Sequence, residues 1–115
     1  MQVDSFPMPL SESTYFILLS LASGPKHGYA VLKDTSELSA GRISLSVSTL
    51  YTALGRLQEQ QLIERVEPLA EEPAPGLPRK VYRLTRPGQK APDAEVQRLK
   101  KLLSAYRQQL GTESA

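Results

Sequence analysis

The stretch from Ser46 to Glu64, SVSTLYTALGRLQEQQLIE, decides the fold. With Leu50 turned toward a core, a period of about 3.6 residues brings Ala53, Leu54 and Leu57 to the same side and turns Ser48, Thr52, Gly55 and Arg56 away, with Thr49 and Tyr51 on the flanks. Ser46 is placed to cap this helix. A merely solvated face would mix Lys with Glu, yet no Asp or Glu occurs between Leu38 and Gln58. The outer face is therefore small, polar and free of local carboxylates that would repel phosphate.

Toward the N-terminus, Arg42-Ile43-Ser44 is expected to form a short strand. Before it, HGYAVLKDTSELSAG reads as a second helix with Tyr29, Leu32 and Leu38 inward, Gly28 giving room for tight packing and Gly41 as the stop. Gly24-Pro25 separates it from a first helix through STYFILLSLAS, capped by Ser11 and made largely apolar by Tyr15, Phe16, Leu18, Leu19 and Leu21. Toward the C-terminus, Leu62 to Leu69 and Lys80 to Thr85 read as strands. The segment between them, AEEPAPGLPR, reads as a projecting hairpin tip. Three helices followed by two strands and such a tip is the order of a winged helix-turn-helix. A last helix from Asp93 carries Val96, Leu99, Leu103, Tyr106 and Leu110 at alternating steps of three and four, the narrow seam of a coiled coil that needs a partner.

Composition bounds the function. At 115 residues and 40% hydrophobic content the chain makes one compact domain with a modest core, which association with a second copy would help. The net charge is only +2, but between Pro73 and Pro92 there is no acidic residue, while Arg79, Lys80, Arg83, Arg86 and Lys90 all fall there. Arg79 and Lys80, where the wing returns to the sheet, are expected to neutralise phosphate. The absence of cysteine excludes disulfides and thiolate chemistry, and the single histidine, His27, has no grouped ligands around it, so no metal or cofactor is expected. No nucleophile elbow, phosphate-cradling loop or carboxylate pair is present, and an enzyme is not expected. No Lys or Arg precedes Lys26 and no apolar run reaches membrane-spanning length, so the chain reads as cytoplasmic, with no membrane partner.

The motifs HGYAVLK, STLYTALGRLQEQQLIE and KVYRLTRPG, in that order, resemble the PadR-type transcriptional regulators over roughly Thr14 to Gly88. The length of the final helix resembles the subgroup whose short C-terminal region serves dimerisation alone. The resemblance implies a homodimeric repressor whose third helix enters the major groove, whose wing touches phosphate and whose last helix packs on the other subunit. The resemblance also implies that some relatives bind flat apolar compounds between subunits; here, with no Trp, such an effector would have to stack on Tyr15, Phe16 or Tyr106. The family pattern has Gly where this chain has Gln61, so the third helix must stop either with a left-handed non-glycine residue or by a different turn. Pro92 is expected to kink the last helix or restart it near Asp93.

Together these readings give a mainly α fold with a small β wing, a winged helix-turn-helix domain plus a C-terminal dimerisation helix. The divisions fall at 1–10 for a flexible arm, 11–88 for the DNA-binding domain and 89–115 for the dimerisation helix and tail. The expected function is sequence-specific binding of double-stranded DNA at an inverted-repeat operator, with Ser46, Ser48, Thr49, Tyr51, Thr52 and Arg56 contacting bases or phosphate alongside Arg79 and Lys80. Arg56 is the candidate for a bidentate contact to guanine. The alternative is a winged-helix module that binds protein rather than DNA.

Overall fold

The structure, a computed structural model, describes residues 9–67 and 80–111. Its elements in chain order are α1 (Glu12–Leu21), β1 (Lys26–His27), α2 (Gly28–Leu38), α3 (Val47–Glu59), β2 (Ile63–Val66), β3 (Val81–Leu84) and α4 (Arg86–Leu110). The three strands form an antiparallel sheet in the order β1-β3-β2, with Lys26 opposite Tyr82 and Ile63 opposite Leu84. Ile17, Leu18 and Leu21 of α1, Val31 of α2, Leu50, Leu54 and Leu57 of α3, Ile63 of β2 and Tyr82 and Leu84 of β3 make one core. A mainly helical chain whose small sheet joins a short strand before α2 to two strands after α3 is a winged helix. The expected hairpin tip, Ala70 to Arg79, lies outside the described residues, as do residues 1–8 of the expected arm.

Capping sets where α1 and α3 begin. Ser11 accepts from the Thr14 N–H at 3.1 Å and Ser46 from the Thr49 N–H at 3.1 Å, each satisfying a donor that the first turn would leave open and contributing about 1 kcal/mol. The stop of α3 is the left-handed alternative: Gln61 has φ 62°, its N–H donates to the Gln58 carbonyl, and the Leu62 N–H donates back to Leu57 at 3.0 Å. This double closure is the Schellman pattern, made without glycine at its left-handed position. α2 ends the same way with Ala40 at φ 56°, one residue before the expected stop at Gly41.

The inward face of α2 differs from expectation. Gly28, Val31 and Thr35 are buried, whereas Tyr29 is 72% and Leu38 48% exposed. Tyr29 lies two residues before Val31, about 200° round the helix, and so cannot share its face. Leu38 is on the right stripe but in the last turn, where buried Ser39 closes the contact instead, accepting from the Ile43 N–H at 2.9 Å. That bond also accounts for the absence of the strand expected at Arg42–Ser44. Both edges of β3 are already taken by β1 and β2, and this loop finds a side-chain acceptor rather than a ladder.

α4 runs from Arg86 to Leu110 without restarting at Asp93, with Pro92 buried inside it. The proline removes one internal bond, the one to the Gly88 carbonyl, in a helix of 25 residues. Its start is tied to the exit of α3. The Thr85 hydroxyl donates to the Gln61 carbonyl at 2.7 Å and accepts from the Gly88 N–H at 3.2 Å, and the Thr85 N–H donates to the Leu62 carbonyl at 3.0 Å. A Cβ on Gly88 would strike that same Leu62 carbonyl, so only glycine allows the two backbones this close.

Candidate nucleic-acid interface

Burial divides α3 into two faces. Leu50, Leu54 and Leu57 are buried, Ala53 packs against the core, and Ser46, Ser48, Thr49, Thr52 and Arg56 are exposed. The hydroxyls of Ser46 and Thr49 lie 2.9 Å apart, so the cap and the first turn present a linked pair of donors and acceptors. A hollow of about 360 Å³ lies between this face and the start of α1, where Ser48, Thr49, Thr52 and Arg56 meet Ser11, Ser13 and Thr14. Gly55 has open space around it, so none of the described residues requires glycine there.

Two features of this face were invisible in the sequence. Ser11 and Ser13 of α1 line the hollow, and Glu12 between them in sequence carries a carboxylate. Arg42 answers it, with one guanidinium nitrogen 2.7 and 2.9 Å from the two carboxylate oxygens. Tyr51 is only half exposed, and its hydroxyl end lies against Gly28, where a Cβ would overlap the ring. The room foreseen at Gly28 is thus filled by Tyr51, which joins α3 to α2. Tyr82 stands close by, buried at the centre of the sheet, and burial followed by the neighbouring Tyr51 pushes its hydroxyl above the ordinary tyrosine range. His27 precedes α2 at its N-cap but makes no side-chain cap bond, and its Nδ1 is buried without a hydrogen-bond partner.

On the wing, Lys80 is exposed immediately before β3, and Arg79 lies outside the described residues. Arg83 is not available as a free cation: it faces Glu64 across the β2–β3 pair, its Nε 2.8 Å from the carboxylate. Behind the sheet, Lys26 pairs with Asp34, and Ser20 donates to the same carboxylate at 2.8 Å. The Lys26 ammonium foremost holds Asp34 below the usual carboxylate range. Among the described residues no group of His, Asp and Glu is arranged to hold a metal ion, and no helix is long and apolar enough to cross a membrane.

The far half of α4 presents the opposite chemistry. Every residue from Leu99 to Gly111 is exposed, including Leu99, Leu103, Tyr106 and Leu110, while Val96 is half-buried against the body. Leu102, 56% exposed, widens the exposed apolar stripe beyond the residues chosen from strict three-and-four spacing. Tyr15 and Phe16 of α1 form an edge-to-face pair with centroids 5.3 Å apart, and Tyr106 sits exposed on the distal turns of α4.

Comparison with known proteins agrees with this arrangement. The model of the transcriptional regulator PadR-like family matches residues 17–94. An uncharacterized 37.1 kDa protein in transposon TN4556 of Streptomyces fradiae is 37% identical over 60 residues, 52% of this chain, so the match spans only 17% of that curated relative's length. A PadR family transcription regulator from Clostridium difficile is similar in structure with a TM-score of 0.67 at 24% identity, covering 87% of this chain and 99% of that one. A transcriptional regulator from Clostridium thermocellum gives 0.65 at 21% identity over 84% and 87% of the two chains. At these identities the two likenesses show the fold. A PadR-like transcription factor from Bacteroides fragilis is 28% identical with a TM-score of 0.62, over 83% and 86% of the two chains.

Proposed function

The chain belongs to the PadR-like family of transcriptional regulators, and on that premise we propose that it acts as a homodimeric repressor, placing two copies of α3 in successive major grooves of an inverted-repeat operator. The carrying observation is the division of α3: its apolar face is spent on the core, while the face of Ser48, Thr49, Thr52 and Arg56 is left exposed. On this reading Arg56 meets a guanine edge, the hydroxyls of Ser46, Ser48, Thr49 and Thr52 contact phosphate or bridging water, Tyr51 borders the same face, and Lys80 with Arg79 neutralises phosphate beside the wing. Val96, Leu99, Leu103, Tyr106 and Leu110 make the contact between subunits. Tyr15, Phe16 and Tyr106 are the rings on which a small apolar effector held between subunits would stack.

Selection of bound fragments from a random duplex pool tests the reading. The expected site has two-fold symmetry with half-site centres roughly 34 Å apart. A selected site without symmetry overturns the dimeric mechanism. Lack of salt-sensitive duplex binding, together with a salt-insensitive protein complex, establishes the protein-interaction alternative instead. Lys80→Ala is expected to weaken all sequences alike and to lower the salt slope by about one, measured by titration at several salt concentrations.

A further inference from the structure

Glu95 is 4% exposed, the only carboxylate buried among the described residues, and nothing in the proposed DNA contacts uses it. Its Oε1 accepts from the Leu10 N–H at 3.1 Å, across 85 residues of sequence, and from the Arg98 Nε at 3.0 Å. Its Oε2 receives the Arg98 Nη2 at 2.6 Å, so the pair is bidentate. The carboxylate thus joins the residue that leads into α1 to the middle of α4, with Arg98 holding and neutralising it.

The position matters more than the strength. Gly88, Pro92 and Glu95 are the buried residues of α4, spaced along one face, and from Leu99 onward the helix is exposed. Glu95 is therefore the last buried point before the seam and the one that holds by a directional bond rather than by apolar packing. From Glu95 to Leu110 the helix runs roughly 22 Å, so a tilt of about 10° at Glu95 would carry the far end about 4 Å. Base reading requires the two α3 helices to be placed more closely than that.

We propose that Glu95 is a positioning residue which, through Leu10 and Arg98, fixes the angle between the dimer arm and the DNA-reading body and so sets the separation of the two reading heads. This rests on the homodimer reading, and the experiment separates the two. The chain has no cysteine, so Glu37→Cys, at an exposed position of α2 outside the proposed DNA contacts, carries one spin label per subunit. Pulsed dipolar spectroscopy on the full protein then reports the distance between heads without DNA. A single narrow distance is expected in the parent and in Glu95→Gln, which keeps an acceptor for Leu10. Glu95→Met keeps the volume and removes the acceptor; the Arg98 side chain left behind is 26% exposed, so its guanidinium can turn to water instead of staying buried and unpaired. It is expected to lose the single distance and give a broad or split distribution while sedimenting as a dimer. A narrow, unshifted distance in dimeric Glu95→Met overturns the proposal. If that variant does not fold, Arg98→Ala decides, with partial broadening expected and an unchanged distance overturning it. A parent protein that sediments as a monomer, with no dipolar signal, overturns the homodimer reading, and the positioning role falls with it.

Discussion

α3 and the distal half of α4 are both helices with a wide exposed surface, yet they stand in opposite relations to the core. α3 hides its leucines and shows hydroxyls and an arginine; α4 beyond Arg98 shows Leu99, Leu102, Leu103, Tyr106 and Leu110 and buries none of them. A helix of three turns outside a core is marginal in water, so the second surface is stable only when something covers it. One helix is completed by its own chain and presents a surface to a polar ligand. The other is left incomplete by its own chain, and on the proposed reading a second copy completes it.

Matched substitutions break the comparison most sharply. Leu54→Asp buries an unpaired carboxylate in the core and is expected to abolish cooperative folding, read by circular dichroism and thermal melting. Leu103→Asp is expected to leave the fold of the body intact, because Leu103 is 46% exposed in the single chain, but to give monomers on sedimentation. Duplex affinity should fall with it on the order of 100-fold, as the linkage of two half-sites is lost. A Leu103→Asp protein that stays dimeric sinks the seam, and a monomer of undiminished affinity sinks the two-half-site mechanism. Arg56→Ala tests the other surface: a loss of about 1 to 3 kcal/mol confined to one base position per half-site is expected, and a uniform loss across sequences would show that Arg56 contacts phosphate only.

Smaller effects sharpen how the body holds the arm. The Arg98 guanidinium foremost, with the Leu10 N–H, holds the pKa of the Glu95 carboxyl below the ordinary carboxylate range. A group depressed on folding contributes stability above its unfolded value and loses it as pH falls through the folded one. Thermal stability should therefore decline below about pH 5, and Glu95→Gln should flatten that acid limb; an unaltered limb would mean that Asp34 and other carboxylates carry it. The least effect is expected at the exit of α3, where Gln61→Gly relieves a left-handed residue and should raise stability by about 1 kcal/mol without altering DNA binding.

The legible parts of this molecule are those where periodicity and local chemistry agree. α3, its cap at Ser46, the strand before Thr85 and the apolar stripe of α4 were readable because each repeats a pattern within a few residues. α2 was misread because its inward stripe is Gly28, Val31 and Thr35, two of them not apolar, while the larger Tyr29 and Leu38 lie outside. β1 is two residues long and exists through its pairing with β3, so no local signal could announce it. Glu12 with Arg42 and Glu95 with Leu10 are contacts across 30 and 85 residues, which no spacing rule reaches. Leu102 was passed over because strict three-and-four steps select the centre line of a seam and omit its shoulder.

The pairing of β1 with β3 has a consequence for the order in which the molecule is made. During synthesis the chain through Glu64 already contains α1, α2 and α3, and the Leu50, Leu54 and Leu57 face has all of its buried core partners but Tyr82 and Leu84. Tyr82 and Leu84, which close the core, and the strand that holds Lys26 and His27 are added some 20 residues later. Contacts so far apart in sequence close last because the loops between them must first be ordered. α3 is therefore synthesised before the residues that seat it, and a chain halted before Leu84 would carry the whole polar face of α3 on a platform that has not yet become rigid.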